Sequence, residues 1–174
     1  PHETNVFIAD WVDTDEAELI QQKNLKKTIS YLASDELMGR LTGSKGETKA
    51  AIYLYENLVD LGLKASIQPF EYNYRVNPHD ENSAKEHIIG KNVIGYLDNS
   101  ADKTIIIGAH YDHLGLNEHH SSTLMNSDGQ IHNGADDNAS GTASVLELAR
   151  MYATNATKEN VNYIFAFFSG EEDG

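Results

Sequence analysis

The sequence has 174 residues, 40% of them hydrophobic and 23% charged, with a formal net charge of −14 and no cysteine. That is enough chain to bury a sizeable core in one domain, and the composition is ordinary for a globular protein. The acidity argues against nucleic-acid binding and against docking on anionic membranes, which both need a basic footprint, and any metal must be held by His, Asp or Glu because no thiolate is available.

In chain order, residues 1–16 are polar and acidic and read as a loosely attached arm, with 17–174 as one folded unit. No leader pattern opens the chain, and no apolar run approaches the roughly 20 residues of a membrane span. From Glu16 to Leu37 the pattern is helical, with Leu25, Ile29, Leu32 and Ala33 on one face. Residues 38–43 read as a loop. Ser44 and Glu47 match a capping box, in which each side chain bonds the other's free backbone N–H. A second helix follows, with Ala51, Leu54, Tyr55 and Leu58 on one face and Gly62 at its stop.

The period then changes. Ile67, Phe70, Tyr72 and Tyr74 suggest a strand, 75–90 a polar loop, and 92–97 and 104–109 two further strands. The run Ile105-Ile106-Ile107 fits a central strand covered on both faces. Residues 115–134 read as a long loop. Thr142, Val145, Leu146, Ala149 and Ala153 make a helical stripe, and 161–168 is a last apolar strand. Helices alternating with buried strands predict an α/β fold, three-layered α/β/α with a mixed central sheet.

Three short motifs sit against these strands and helices. Gly108-Ala109-His110-Tyr111-Asp112-His113 leaves the 104–109 strand, at the carboxyl end where α/β sheets bind ligands. His110 is either a structural histidine or a metal ligand, and Asp112 could fix its tautomer. Gly134-Ala135-Asp136-Asp137-Asn138-Ala139-Ser140-Gly141 enters a helix. Its acids are either helix caps or a carboxylate bridging two cations. Ser169-Gly170-Glu171-Glu172-Asp173-Gly174 leaves the last strand. Adjacent glutamates repel unless a cation or proton stabilises them, so this is either a solvated acidic turn or a ligand beside a general base. Taken together, the three favour a metal site. His113 and His132 lie close to these motifs, whereas His2, His79, His87, His119 and His120 lie in polar stretches and are expected to be exposed.

The motif set is similar to the co-catalytic dizinc aminopeptidases, metallopeptidase family twenty-eight, which includes bacterial leucyl aminopeptidases. The segment 35–44 resembles that family's entry loop, so the likeness covers most of residues 25–174. The resemblance implies two zinc ions per complete catalytic domain. His110 would bind one ion, Glu172 the other, and Asp137 would bridge them. Glu171 would serve as general base and acid, and Asp112 would orient His110. It also implies an unusual Asp137–Asn138 peptide bond, peptide substrates with a free N-terminus, and a periplasmic or secreted location. Two further ligands, an Asp and a His, are expected downstream of the glutamate pair, so the C-terminal part of the domain is expected to be missing here and the 174 residues to be inactive alone. The 75–90 segment is too short for the protease-associated domain that some relatives insert. Two other readings share the fold: a single-zinc glutaminyl cyclase, and a binding domain without catalysis.

Overall fold

The computed structural model describes residues 14–75 and 82–173. The elements run α1 (Thr14–Leu32), a 3-10 turn (Asp35–Arg40), α2 (Lys45–Asp60), β1 (Lys64–Arg75), β2 (Lys85–Leu97), β3 (Thr104–His110), a π-helical turn (Ala135–Ser140), α3 (Gly141–Thr154) and β4 (Asn162–Phe168). The four strands form a mixed sheet in the order β1-β2-β4-β3. β1 and β2 pair antiparallel, as do β2 and β4, while β3 and β4 run parallel. The α/β class and mixed sheet expected from the alternation are therefore present. No described helix is long and apolar enough to cross a membrane.

The core forms where the helices cover one face of this sheet. Leu54 and Leu58 of α2, Val145 and Leu146 of α3, Val93 of β2, and Tyr163, Phe165 and Phe167 of β4 pack into it. Removing each such side chain from water is worth roughly 1.5–3 kcal/mol. β4, the last of the described strands, thus lies inside the sheet, flanked by β2 and β3. Ile106 on β3 and Phe168 on β4 are exposed among the described residues.

Several expectations change in detail. The run 105–107 fits a central strand covered on both faces. Instead β3 is an edge among the described residues, and Ile105 is 45% and Ile106 65% exposed. Three isoleucines in a row report β propensity without reporting which neighbour covers them. The polar segment 75–90 is partly strand: β2 starts at Lys85, because β1 supplies a full antiparallel ladder from Lys64↔Tyr96 to Arg75↔Lys85. The first helix ends at Leu32 rather than Leu37. Ser34 is extended, and Met38 and Gly39 take left-handed conformations that no α-helix accepts. The 1–13 part of the N-terminal arm lies outside the described residues, and α1 already covers 14–16.

At α2 only half of the capping box forms. The Ser44 hydroxyl accepts from the Glu47 N–H at 3.1 Å. The Glu47 side chain turns inward instead, fully buried, where its Oε1 accepts from the Lys91 N–H at 2.8 Å and its Oε2 pairs with Lys91 Nζ at 2.9 Å. Glu47 thereby ties α2 to β2. Ser44→Ala is expected to cost about 1 kcal/mol by loss of the cap, measurable as a lower urea midpoint at unchanged slope. Close approach decides Gly46: a Cβ there would stand 1.8 Å from the Leu37 carbonyl oxygen, so only glycine lets α2 touch the 35–40 turn.

Candidate metal centre

Parallel pairing puts His110 opposite Phe168, so the first and third motifs leave the sheet side by side at the carboxyl ends of β3 and β4. The second motif arrives from the other direction, at the start of α3. Its π-helical turn carries non-helical backbone at Asp137 and Asn138, and the Asp137–Asn138 peptide is cis. Asn138, not Asp137, caps α3: its Oδ1 accepts from the Gly141 N–H at 3.1 Å. The capping and the acidic roles therefore fall on different residues, and the Asp137 carboxylate is free to face His110.

Two residues of the 35–42 segment hold this arrangement. Arg40 is fully buried and donates to four backbone carbonyls. Its Nε reaches Tyr111 O at 2.7 Å, Nη1 reaches Leu32 O and also Asn133 O at 2.7 Å, and Nη2 reaches Gly134 O at 3.1 Å. One side chain so joins the end of α1, the exit of β3 and the entry to the second motif. Burial lowers its pKa to about 10, against the raising influence of Asp112, Glu172 and Asp137, so it stays charged at neutral pH. The Thr42 hydroxyl donates to Asp112 Oδ2 at 3.1 Å and accepts from the Gly170 N–H at 3.1 Å. Gly134 has φ +56°, and a Cβ there would meet Asp137 O at 2.4 Å, so glycine is what the approach to the second motif requires.

The candidate ligands converge. One ligand atom each from His110, Asp137 and Glu172 lies within 4.8 Å of the other two. His110 Nε2 is 3.2 Å from Asp137 Oδ1 and 3.6 Å from Glu171 Oε2, while Nδ1 faces Asp112 Oδ1 at 3.5 Å. Asp112 is buried, and its Oδ2 also accepts from the Glu172 N–H at 3.2 Å, linking the first motif to the third. Its Oδ1 and His110 Nδ1 are buried without a hydrogen-bond partner and point at each other. The Glu171 carboxylate is exposed beside the same histidine.

This set suits zinc. One imidazole and two carboxylates are its common non-thiolate ligands, and atoms bound to a tetrahedral zinc at ~2.1 Å stand roughly 3.4 Å apart. A ligand nitrogen on Nε2 with a carboxylate behind Nδ1 is the usual outer arrangement around a zinc-bound histidine.

The electrostatics point the same way. The Asp112 carboxylate facing Nδ1 raises His110 to about 9, with Glu171 and Asp137 adding to it and burial opposing. Burial pushes the Glu172 carboxyl up, while His113, whose Nδ1 lies 2.5 Å from Glu172 Oε1, pulls it down. A raised histidine is protonated below its folded value, so a metal must displace that proton. Zinc affinity is therefore expected to rise with pH, by up to about tenfold per unit below pH 9, and then to level. Chelator-competition titrations at pH 6, 7, 8 and 9 check this; a flat profile would contradict it. The sign for the metal-free fold is the reverse. Its contribution from His110 is full below the unfolded value of about 6.5 and is lost as pH climbs through 9.

The histidines divide. His87 and His120 are exposed, as their polar surroundings suggest. His119 is not: its side chain is only 9% exposed and its Nδ1 lies 2.6 Å from Asp173 Oδ1. The sequence signal available was Asp173 itself, an acid unaccounted for after the glutamate pair. His2 and His79 lie outside the described residues.

Comparison with known proteins gives a consistent picture. Residues 92–174 match peptidase family M28. The alkaline phosphatase isozyme conversion protein of Escherichia coli is 30% identical over 137 residues, which is 78% of this chain and 39% of that one. Among solved structures, a glutaminyl cyclase from Fimbriiglobus ruber is similar with a TM-score of 0.69 and 22% identity, over 87% of this chain and 45% of that one. A leucine aminopeptidase precursor from Bacteroides thetaiotaomicron is similar with a TM-score of 0.60 and 21% identity, over 93% and 48%. These likenesses carry the fold. The chain spans about two fifths of the curated relative and about half of each solved one.

Proposed function

We propose, from the match of residues 92–174 to peptidase family M28, that the intact protein is a zinc-dependent aminopeptidase acting on peptides with a free N-terminus. The observation that carries this reading is the convergence of His110, Asp137 and Glu172 beside an exposed Glu171. His110, Asp137 and Glu172 would hold zinc, with Asp137 shared between two ions. When bound, zinc lowers the pKa of water and polarises a carbonyl. The chain's own residues do the rest. Asp112 holds the His110 ring so that Nε2 faces inward. Glu171 takes a proton from the attacking water as the new C–O bond forms, and returns it to the amine as the C–N bond breaks. The charges of Arg40 and His110 offset four neighbouring acids, Asp112, Asp137, Glu171 and Glu172. A periplasmic or secreted location goes with this reading.

Three ligands converge among the described residues, whereas two ions sharing one carboxylate ask for about five. The 174 residues alone are therefore expected to bind zinc weakly and to leave substrate uncleaved. The likeness to glutaminyl cyclases supports a second reading, a single-zinc enzyme that cyclises N-terminal glutamine. The test is a zinc count on the intact protein beside assays on leucine anilide and on a glutamine-initial peptide. Two zincs with anilide cleavage support the aminopeptidase. One zinc with cyclisation moves the assignment to the cyclase. No zinc and no turnover would leave only a binding domain.

A further inference from the structure

The turn that bears the glutamate pair is anchored from outside the ligand cluster. Asp173 follows Glu172 and is nearly buried, its side chain 3% exposed. Its two carboxylate oxygens go in different directions. Oδ1 receives His119 Nδ1 at 2.6 Å, and Oδ2 receives the Tyr72 hydroxyl in a short hydrogen bond. His119 belongs to the long loop that follows the first motif, and Tyr72 to β1. Tyr74, two residues along β1, stacks on the His119 ring with centroids 3.8 Å apart and planes 13° from parallel. The ring is thus fixed by a face contact as well as by the carboxylate. The other end of the turn is held independently, by Gly170 N–H on Thr42 and Glu172 N–H on Asp112.

Resting on the reading of His110, Asp137 and Glu172 as zinc ligands, we propose that Asp173 is a positioning residue whose carboxylate, gripped by His119 and Tyr72, clamps the 169–173 turn so that Glu171 and Glu172 face the site. A five-residue turn ending in three consecutive acids, Glu171, Glu172 and Asp173, has every electrostatic reason to splay. Hydrogen bonds to both oxygens of the next side chain remove that freedom, and they do so through segments that carry no ligand. Outer residues of this kind typically change metal affinity or activity by 10–100-fold when removed.

The test is amide hydrogen exchange on the intact metal-free protein, followed by zinc titration. Asp173→Ala and Tyr72→Phe are expected to speed exchange at Gly170 and Glu172 by about tenfold or more while leaving β2 and β4 amides unchanged, and to weaken zinc about 10–100-fold. His119→Leu should behave alike, whereas His119→Asn, which keeps a donor where Nδ1 stands, should restore most of the protection. Unchanged exchange and zinc affinity in Asp173→Ala would overturn the clamp. So would a uniform rise in exchange through β2 and β4, which would mean simple loss of stability. A wild-type protein that binds no zinc would overturn the proposed function instead, and the exchange comparison would still judge the clamp.

Discussion

Glu171→Gln in the intact protein should lower kcat by about 10²–10⁴-fold while leaving zinc content and KM near wild type. The glutamine keeps the size and polarity of the side chain and loses only the ability to accept and return a proton, and general acid–base catalysis is typically worth that factor. Exposure makes the prediction clean. The Glu171 carboxylate lies exposed, 3.6 Å from His110 Nε2, and carries no hydrogen bond among the described residues. A matched loss in kcat and kcat/KM would mark an interaction made in the transition state alone. Turnover within threefold of wild type would remove Glu171 from the mechanism. Loss of zinc from the same variant would instead make Glu171 a ligand.

Arg40→Met should be the most destabilising single change in the described structure. It keeps much of the side-chain volume but takes the side-chain donor from the buried carbonyls of Leu32 and Tyr111 and the half-buried one of Asn133, while Gly134 O keeps the Ala139 N–H. Each unsatisfied buried acceptor costs about 1–3 kcal/mol. Even with relaxation and some water entry, a loss of about 4 kcal/mol is expected, a large share of the 5–15 kcal/mol that holds a domain together. Arg40→Lys should recover little, because a single ammonium cannot fork between segments. Chemical denaturation of the intact proteins measures both. A midpoint unchanged in Arg40→Met would mean that the carbonyls find other donors.

The candidate site was legible because its chemistry is written in short words against strands and helices. A histidine at a strand exit, an acidic pair before a helix and a glutamate pair after a strand each keep their meaning without knowledge of the fold. What the sequence leaves open is what lies opposite what. The apolar run 105–107 predicts a strand equally well at a centre or an edge. The polar run 85–90 becomes strand only because β1 offers it a ladder. Glu47 fits a capping box locally, yet Lys91 and Tyr111, distant in the chain, draw it inward. His119 sits in a polar stretch and is buried by residues 45 positions before it and 54 after it. Each departure is a long-range contact overriding a local preference, which is the ordinary limit of reading by period and propensity.

The insertion of β4 between β2 and β3 has a bearing on biosynthesis. Until residues 162–168 have been made, β2 and β3 each show an unpaired backbone edge to the other, with Val93 and Ile107 uncovered. Unpaired edges and bare apolar faces are what chaperones bind and what seeds intermolecular pairing. Glu172 also emerges only four residues after β4. Vectorial synthesis therefore sets an order: strand insertion comes first, and metal loading at Glu172 can follow only once β4 has left the ribosome.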